Sequence, residues 1–394
     1  MTSTQAPPRT EIVRRAADLI PTLRKHALWH EENRRLHDET VEALADAGLF
    51  RLRVPARHGG YEADTRTVVE VATELGRGDG ATAWVASVYW IPGWMVGLFP
   101  DAVQDEIYVT PDVKVCGTLS PGGVAVPADG GYVVNGRWGF ISGALHADWQ
   151  EIIAVTPMPD GQMMPVMALV PMADLHVVDD WHTSGLRGTG SVSTAAQDLL
   201  VPAERVIPLP AVLTERYASV LNASLPMYDK VPLLATAAAT SVGSVLGMAK
   251  GALDTFMDRL PDRKITYTDY TSQSEAPLTH LQLAEASLKI DEAEFHAHRL
   301  AGTVDAKGAA GETWTVLERV RARADLGAVV RLGKEAVDIL FAASGGSSIY
   351  NGIPIQRIAR DVQAVNQHAL MNPTTNYELY GRLLAGQEPN TLYL

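Results

Sequence analysis

Apolar positions near the start of the chain recur at intervals of three and four residues. Over residues 11–47 this spacing places Ile12, Ala16 and Leu23 on one face of a helix. The same spacing returns after a Gly- and Pro-punctuated loop and continues until the first strand-like segment. The pattern therefore predicts an N-terminal helical domain over residues 1–110, preceded by a few disordered residues around Pro7 and Pro8.

The pattern changes in the middle of the chain, where short β-branched runs alternate with Gly, Pro and Asp turns. Examples are GGYVVNGRWGFISG and MPVMALVPM, in which apolar and other residues alternate with a period of two. This favours a central β-barrel or β-sandwich domain over residues 111–215. Helical spacing and Ala-rich runs then continue to the end, and they predict a C-terminal helical bundle over residues 216–394.

Composition narrows the class of protein. Hydrophobic residues make up 46% and charged residues 20% of the 394 residues, which is ordinary for a globular chain. The net charge of −13 argues against nucleic acid as a partner, because phosphate binding requires clustered Lys and Arg. We expect no membrane span, no secretion signal and a cytoplasmic location. The single cysteine, Cys116, fits a reducing compartment and is expected to be a packed core thiol.

Several familiar motifs are absent. Glycines 185, 188 and 190 follow the order GxxGxG, which is not the GxGxxG of a dinucleotide-binding turn. No HExxH motif or cysteine pair occurs, and His296 and His298 are two residues apart on a predicted helix and do not share a face. We therefore expect neither a nicotinamide domain nor a metal site.

Four segments, in this order, resemble the acyl-CoA dehydrogenase superfamily over about residues 11–385. They are LFRLRVPARHGGYEAD, NGRWGFISGALHADW, WHTSGLRGTGSVS with VPAERV after it, and GGSSIYNGIPIQRIARD. Any one of them is a weak signal, and the four together are specific. The resemblance implies an α+β fold: an N-terminal helical domain, a central β-barrel or sandwich, and a C-terminal four-helix bundle.

The last segment indicates a branch within that superfamily. Common acyl-CoA dehydrogenases carry a catalytic glutamate eight or nine residues after the Arg of an Arg-Asp pair. Here the pair is Arg360-Asp361, which we expect to form an ion pair, and the two later positions are His368 and Ala369. With a histidine at that place, the segment resembles the flavin-dependent monooxygenase branch of the superfamily. His368 is therefore the main catalytic candidate, as a base or as a partner of a flavin peroxide.

The resemblance also assigns candidate flavin contacts. It puts an aromatic ring at Phe140 and a short hydrogen-bond donor for flavin N5 at Ser142, which could also simply begin a turn. Further candidates for contact with the flavin ring or its phosphates are Trp181, Thr189, Ser191, Arg263, Gly345 and Gly346. A turn between strands is the alternative for the first three, and a helix-capping cation is the alternative for Arg263.

A substrate pocket is expected along DGATAWVASVYWIPGWMV. Many aromatic hydroxylases of the branch carry a histidine where this chain has Pro92, at which we predict a helix break. The aromatic residues Trp84, Tyr89, Trp90 and Trp94 are expected to line the pocket, and an aromatic-rich core is the alternative.

Taken as a member of this branch, the chain is expected to be the oxygenase component of a two-component flavin-dependent monooxygenase. Reduced FMN, or FADH2 as the other candidate, would come from a separate NAD(P)H:flavin reductase and react with O2 to a C4a-hydroperoxide. The expected product is a hydroxylated aromatic or polyketide-like compound of secondary metabolism, as in antibiotic biosynthesis. N-oxygenation of an amine and an acyl-CoA dehydrogenase activity are the alternatives. A homotetramer is implied.

Overall fold

The computed structural model describes residues 6–394 of the chain. Residues 1–5, part of the segment predicted to be disordered, lie outside the described residues, and the first helix already begins at Arg9. The N-terminal helices are α1 (Arg9–Asp18), α2 (Ile20–Asn33), α3 (Asp38–Asp46), α4 (Thr65–Gly78), α5 (Gly80–Val96) and α6 (Asp101–Ile107).

Helix α5 corrects the predicted break at Pro92. The helix begins where the Asp79 carboxylate accepts a hydrogen bond from the Thr82 backbone N–H at 2.9 Å. It then continues through Pro92 to Val96, with nearly all of its side chains buried. Proline removes one backbone donor, but packing on every side holds the remaining turns in place. Local propensity alone therefore misplaced the end of this helix.

The central strands form one seven-stranded sheet. They are β1 (Val115–Ala128), β2 (Gly131–Ile141), β3 (Trp149–Pro157), β4 (Met163–Pro171), β5 (His176–Val178), β6 (Val192–Pro202) and β7 (Val206–Pro208). Their order is β5-β6-β2-β1-β3-β4-β7, with only the β1–β3 pair parallel. The predicted barrel or sandwich is thus observed as a single sheet, because strand pairing joins segments that local patterns cannot connect.

The C-terminal part is helical, as predicted, but it contains more than four helices. They are α7 (Leu209–Val212), α8 (Leu233–Arg259), α9 (Pro277–Ala310), α10 (Val316–Ala343), α11 (Pro354–Asn366) and α12 (Pro373–Leu384). The long helices α8, α9 and α10 pack against one another, and α11 and α12 pack against α10. Helix α10 starts with a capping box, in which the Thr315 and Glu318 side chains each accept from the other's backbone N–H.

Glycines line the contact between the N-terminal helix α4 and the C-terminal helix α8. A Cβ added to Gly76 on α4 would lie 2.9 Å from Gly247 Cα on α8, and one added to Gly243 would meet the Val69 backbone. The two helices can therefore approach each other backbone to backbone, which larger side chains would prevent.

Helix α8 is also the one segment of the described residues whose length and hydropathy would suit a membrane. The apolar window within Leu233–Asp262 is 94% buried inside the protein, as is typical of the core helix of a globular protein.

Cys116 is buried, as predicted, and burial raises the pKa of its thiol. The succession of helical part, sheet and helical part confirms the α+β class. The boundaries after residues 110 and 215 stay a prediction.

Candidate active site

Ser142 follows directly on strand β2, where the chain turns under the N-terminal helices. Gly143 has φ +76°, a conformation that favours glycine, and the Tyr89 hydroxyl donates to the Gly143 carbonyl at 2.6 Å. This fixed turn leaves the Ser142 side chain only 5% exposed. The turn that we gave as the alternative is therefore present, and it also places the hydroxyl inside the protein.

A chain of short hydrogen bonds runs inward from Ser142. Its Oγ accepts from the Trp84 indole Nε1 at 3.1 Å and lies 2.6 Å from the Ser191 Oγ. The Ser191 Oγ lies 2.6 Å from the Thr189 Oγ1, which donates to the Leu186 carbonyl at 2.7 Å. Three candidate residues are thus brought together, with Thr189 and Ser191 as neighbours of Ser142.

His368 also contacts Trp84. The two rings are 5.2 Å apart between centroids and meet edge to face at 68°. Helix α11 ends at Asn366, and His368 occupies the turn that follows it. A turn holds the imidazole at the end of α11, where it can face the helix that carries Trp84.

The hydrogen bonding of His368 fixes its tautomer. The Leu370 backbone N–H donates to the imidazole Nδ1 at 3.2 Å, so the proton of the neutral ring belongs on Nε2. Desolvation by the surrounding protein lowers the pKa of His368 to about 4. The residue as a whole is exposed to solvent, and it is the ring side packed against Trp84 that is desolvated. The lowered pKa keeps the ring in its neutral form at ordinary pH.

Two aromatic side chains lie beside this group. Phe140 has φ +61° and is 74% exposed, although it is large and apolar. Its ring meets that of Trp181 edge to face, with centroids 5.9 Å apart, and the Trp181 indole donates to the Leu186 carbonyl at 3.0 Å. An unusual backbone conformation that presents an aromatic ring to the outside is a feature of binding sites rather than of cores.

The glycine-rich loop that carries Leu186 is fitted closely to its surroundings. A Cβ on Gly185 would clash with the Arg360 carbonyl, and one on Gly188 would lie 2.8 Å from the His30 Cβ. The Asp361 carboxylate accepts from the Leu186 backbone N–H at 2.6 Å. These glycines therefore allow close packing of the loop, and Asp361 fixes its position.

The predicted ion pair between Arg360 and Asp361 is wrong. Arg360 instead binds Glu31 at 2.5 Å and the Ser184 carbonyl at 2.6 Å. Asp361 is deeply buried and bonded to the Leu186 backbone, and burial raises its pKa to about 7. Neighbours on a helix point in different directions, so adjacent opposite charges seldom pair.

Arg263, Gly345 and Gly346 form a second group of candidates. The Arg263 guanidinium donates to the Gln273 Oε1 and to the Ser347 Oγ, both at 3.2 Å, and no carboxylate within residues 6–394 is in ion-pair distance of it. A Cβ on Gly345 would lie 2.9 Å from its Nη2. A half-buried cation with only neutral partners can bind a phosphate, because its charge is not yet compensated.

The expected pocket lining is only partly supported. Trp84 lies between Ser142 and His368, and Tyr89 supports the turn beside them. Trp90 and Trp94 are 1% and 0% exposed, and their indole N–H groups donate to the backbone carbonyls of Leu49 and Met227. These two side chains pack in the core with their polar atoms satisfied, and their place in a substrate pocket stays a prediction.

Sequence reasoning missed Gln273, Leu186 and Asp361 as parts of these groups. Leu186 acts through its backbone, with φ +50°, and its identity carries no signal for that. Gln273 links Arg263 to the Ala343 carbonyl at 2.8 Å and lies in a loop without a motif. Only the glycines beside Leu186 could have drawn attention to that backbone.

One cluster resembles a metal site. The potential ligand atoms of His26, His37 and Glu39 lie within 4.8 Å of one another. However, the His37 Nδ1 accepts from the Glu39 N–H at 3.1 Å, and the His26 Nε2 lies 2.8 Å from the Glu39 carboxylate. The first contact caps helix α3, and the second ties His26 to the same helix, so hydrogen bonds within the protein account for the cluster.

Comparisons with known proteins agree with this geometry. Two family models match, "Acyl-CoA dehydrogenase, N-terminal domain" over residues 10–112 and "Acyl-CoA dehydrogenase, C-terminal domain" over residues 239–373. The flavin-dependent monooxygenase oxygenase subunit HsaA of Rhodococcus jostii (strain RHA1) is 32% identical across 92% of this chain and 95% of its own length.

Two further proteins are similar over almost the whole chain. The oxygenase component of an FADH2-dependent resorcinol hydroxylase from Rhizobium sp. (strain MTP-10005) is 30% identical across 99% of this chain and 97% of its own length. The structure of XiaF from Streptomyces sp., in complex with FADH2 and glycerol, has a TM-score of 0.92 at 32% identity, covering 98% of each chain. The chain belongs to the acyl-CoA dehydrogenase family and, within it, to the oxygenase components of flavin-dependent monooxygenases.

Proposed function

We propose that this oxygenase component uses reduced flavin and O2 to hydroxylate an aromatic or polyketide-like substrate between Ser142 and His368. One observation carries the proposal: these two polar side chains both contact Trp84, Ser142 through the indole N–H and His368 edge to face with the ring. A polar group that can meet the flavin and one that can meet oxygen or substrate are thus held by the same tryptophan. Bound reduced flavin supplies the activation of O2.

The residues present fit a flavin. Ser142 is buried and its hydroxyl accepts from the Trp84 indole, and Phe140 exposes an aromatic ring beside Trp181. Arg263 lacks a carboxylate partner within the described residues and can hold the phosphate end. FADH2 is favoured over FMN, since relatives 30% and 32% identical to this chain are named for it or contain it.

His368 serves as a hydrogen-bond donor in this proposal. Its Nδ1 accepts from the Leu370 backbone, so the neutral ring offers the Nε2 proton to an oxygen atom of the reacting group. Acting as a base would require the Leu370 bond to break first. Of the two roles expected for this histidine, the geometry therefore supports the partner of a peroxide over the base.

The separate NAD(P)H:flavin reductase and the cytoplasmic location remain part of the proposal. The names of the relatives support the first, because "oxygenase subunit" and "oxygenase component" imply a second component. The glycine-rich loop packs against α2, α5 and α11 and leaves no dinucleotide-binding turn in that segment. In this proposal reduced flavin arrives by diffusion from the second component.

Assembly into a homotetramer is supported by an apolar stripe on α9. Leu281, Leu288 and Phe295 lie seven residues apart, on one side of the helix, and are 74%, 63% and 63% exposed. A single chain gains nothing from exposing such a row, whereas a second copy of the same helix could cover it.

The decisive experiment mixes the protein with photoreduced flavin, O2 and a phenolic substrate, and measures both product and O2 consumption. The wild type should convert substrate, and His368→Ala should lose product by roughly 10²-fold while it still consumes O2. His368→Gln keeps an N–H donor and should recover part of the product, whereas His368→Glu should not. Recovery by Glu and not by Gln would show that a base is needed.

The same assay with an amine substrate tests the alternative reaction, N-oxygenation. N-hydroxylation of the amine without conversion of the phenol would replace C-hydroxylation in the proposal. Product formed by His368→Ala at the wild-type rate would remove the histidine from the active site altogether.

A further inference from the structure

The hydrogen-bond chain beside the candidate flavin site has a direction. At its outer end the Trp84 indole N–H can only donate, and at its inner end the Leu186 carbonyl can only accept. Between them lie the three hydroxyl groups of Ser142, Ser191 and Thr189, each with a single proton.

Counting protons gives one arrangement. Three contacts have to be made by hydroxyl donors: Ser142 to Ser191, Ser191 to Thr189, and Thr189 to the Leu186 carbonyl, at 2.6, 2.6 and 2.7 Å. Three protons are available, so all contacts are satisfied only when every hydroxyl donates inward. Chains with one direction also strengthen each of their bonds.

We infer that Ser191 and Thr189 are positioning residues that turn the Ser142 proton away from the flavin, so that Ser142 accepts a hydrogen bond from N5 instead of donating one. The inference rests on the proposed function, in which Ser142 faces N5. It reverses the donor role that the sequence resemblance implied for Ser142. Its oxygen accepts once from Trp84 and keeps one lone pair free.

This arrangement selects the redox state of the flavin. Reduced flavin carries a hydrogen on N5 and can donate it to Ser142. Oxidised flavin has a lone pair on N5, which would face the lone pair of Ser142 without a proton between them. An oxygenase that takes up reduced flavin and releases oxidised flavin gains from such a preference, because the spent cofactor binds less tightly.

The inner end of the chain is held in place by the rest of the fold. Leu186 has φ +50°, its N–H donates to Asp361 at 2.6 Å, and its carbonyl also accepts from the Trp181 indole at 3.0 Å. The acceptor that sets the direction is therefore fixed by α11 and by the glycine-rich loop. The chain links the position of that loop to the proton at the flavin.

The test compares dissociation constants for oxidised flavin, in air, and photoreduced flavin, under nitrogen. The wild type should bind reduced flavin more tightly. Ser191→Ala frees the Ser142 proton, so the ratio of the oxidised to the reduced constant should fall roughly threefold to tenfold, as for one hydrogen bond. Thr189→Val should lower the ratio as well, because Ser191 can then donate to Ser142 and leave the Ser142 proton free for the flavin. This variant replaces Ser191→Ala if Ser191→Ala does not fold.

Two controls isolate the direction of the chain. Thr189→Ser keeps the hydroxyl and should keep the ratio. Ser193→Ala removes a hydroxyl two residues after Ser191, at the start of β6, where it donates to Asp180 at 2.6 Å and takes no part in the hydrogen-bond chain. This variant should also keep the ratio. An unchanged ratio in both Ser191→Ala and Thr189→Val, or an equal fall in Ser193→Ala, would overturn the inference.

Ser142→Ala separates this inference from the proposed function. Weaker binding of reduced flavin by that variant would place Ser142 at the cofactor, whatever Ser191→Ala does. If the wild type bound no flavin, or if Ser142→Ala bound flavin as tightly as the wild type, the proposed site would be wrong and the inference with it.

Discussion

At the scale of single residues, the state of His368 sets the expected pH dependence. Desolvation by the surrounding protein lowers the pKa of the imidazole to about 4, so the ring is neutral above that pH and becomes charged only below it. The ratio of product to O2 consumed should therefore stay constant from pH 8 to about 5, where a free histidine would already have titrated. A transition near the ordinary pKa of about 6.5, absent in His368→Ala, would contradict this placement.

Arg263 gives a second prediction at this scale. Arg263→Gln should weaken binding of FMN or FADH2 and leave the binding of riboflavin, which has no phosphate, unchanged. One charge-assisted hydrogen bond lost corresponds to about tenfold in the dissociation constant. The neighbouring Lys264 is exposed and provides the matched control, since Lys264→Gln should affect neither ligand. Equal weakening of riboflavin would assign Arg263 a structural role.

At the scale of elements, the contact between α4 and α8 depends on glycine. Gly247→Ala would push a Cβ into the Thr73 carbonyl and into Gly76, so we expect a loss of about 1–3 kcal/mol in the free energy of unfolding. Gly302 on α9 has nothing within 4 Å of its Cβ position, and Gly302→Ala should stabilise by about 0.5–1 kcal/mol. Denaturant unfolding measures both changes. If the two substitutions changed the free energy of unfolding equally, the contact between α4 and α8 would not depend on glycine.

At the scale of the whole molecule, the α9 stripe predicts the state of assembly. Leu288→Glu should shift the protein toward smaller species in analytical ultracentrifugation, because a charge cannot be buried without a partner. Leu200, 54% exposed on β6, provides the control, and Leu200→Glu should leave the sedimentation unchanged. A wild-type monomer, or an unaffected Leu288→Glu assembly, would show that this stripe is not the contact between copies.

The sequence by itself determined the order of the parts and the branch of the family. Helical and strand-like periodicities are local, so they are readable without the fold, and the substitution of His368 for a glutamate is readable because motif spacing along one helix and turn is local as well. The same locality explains the errors. Pro92 indicated a break that packing overrides, and the adjacent Arg360 and Asp361 indicated a pair that helix geometry separates.

Only the tertiary structure decided which polar groups meet. Trp84 comes from α5, Ser142 from the end of β2, Ser191 and Thr189 from the loop before β6, and His368 from the turn after α11. No pattern along the chain encodes contacts between segments so far apart. The direction of the hydroxyl chain depends on which atoms lie at its two ends, an indole N–H and a backbone carbonyl, and that is a property of the folded protein alone.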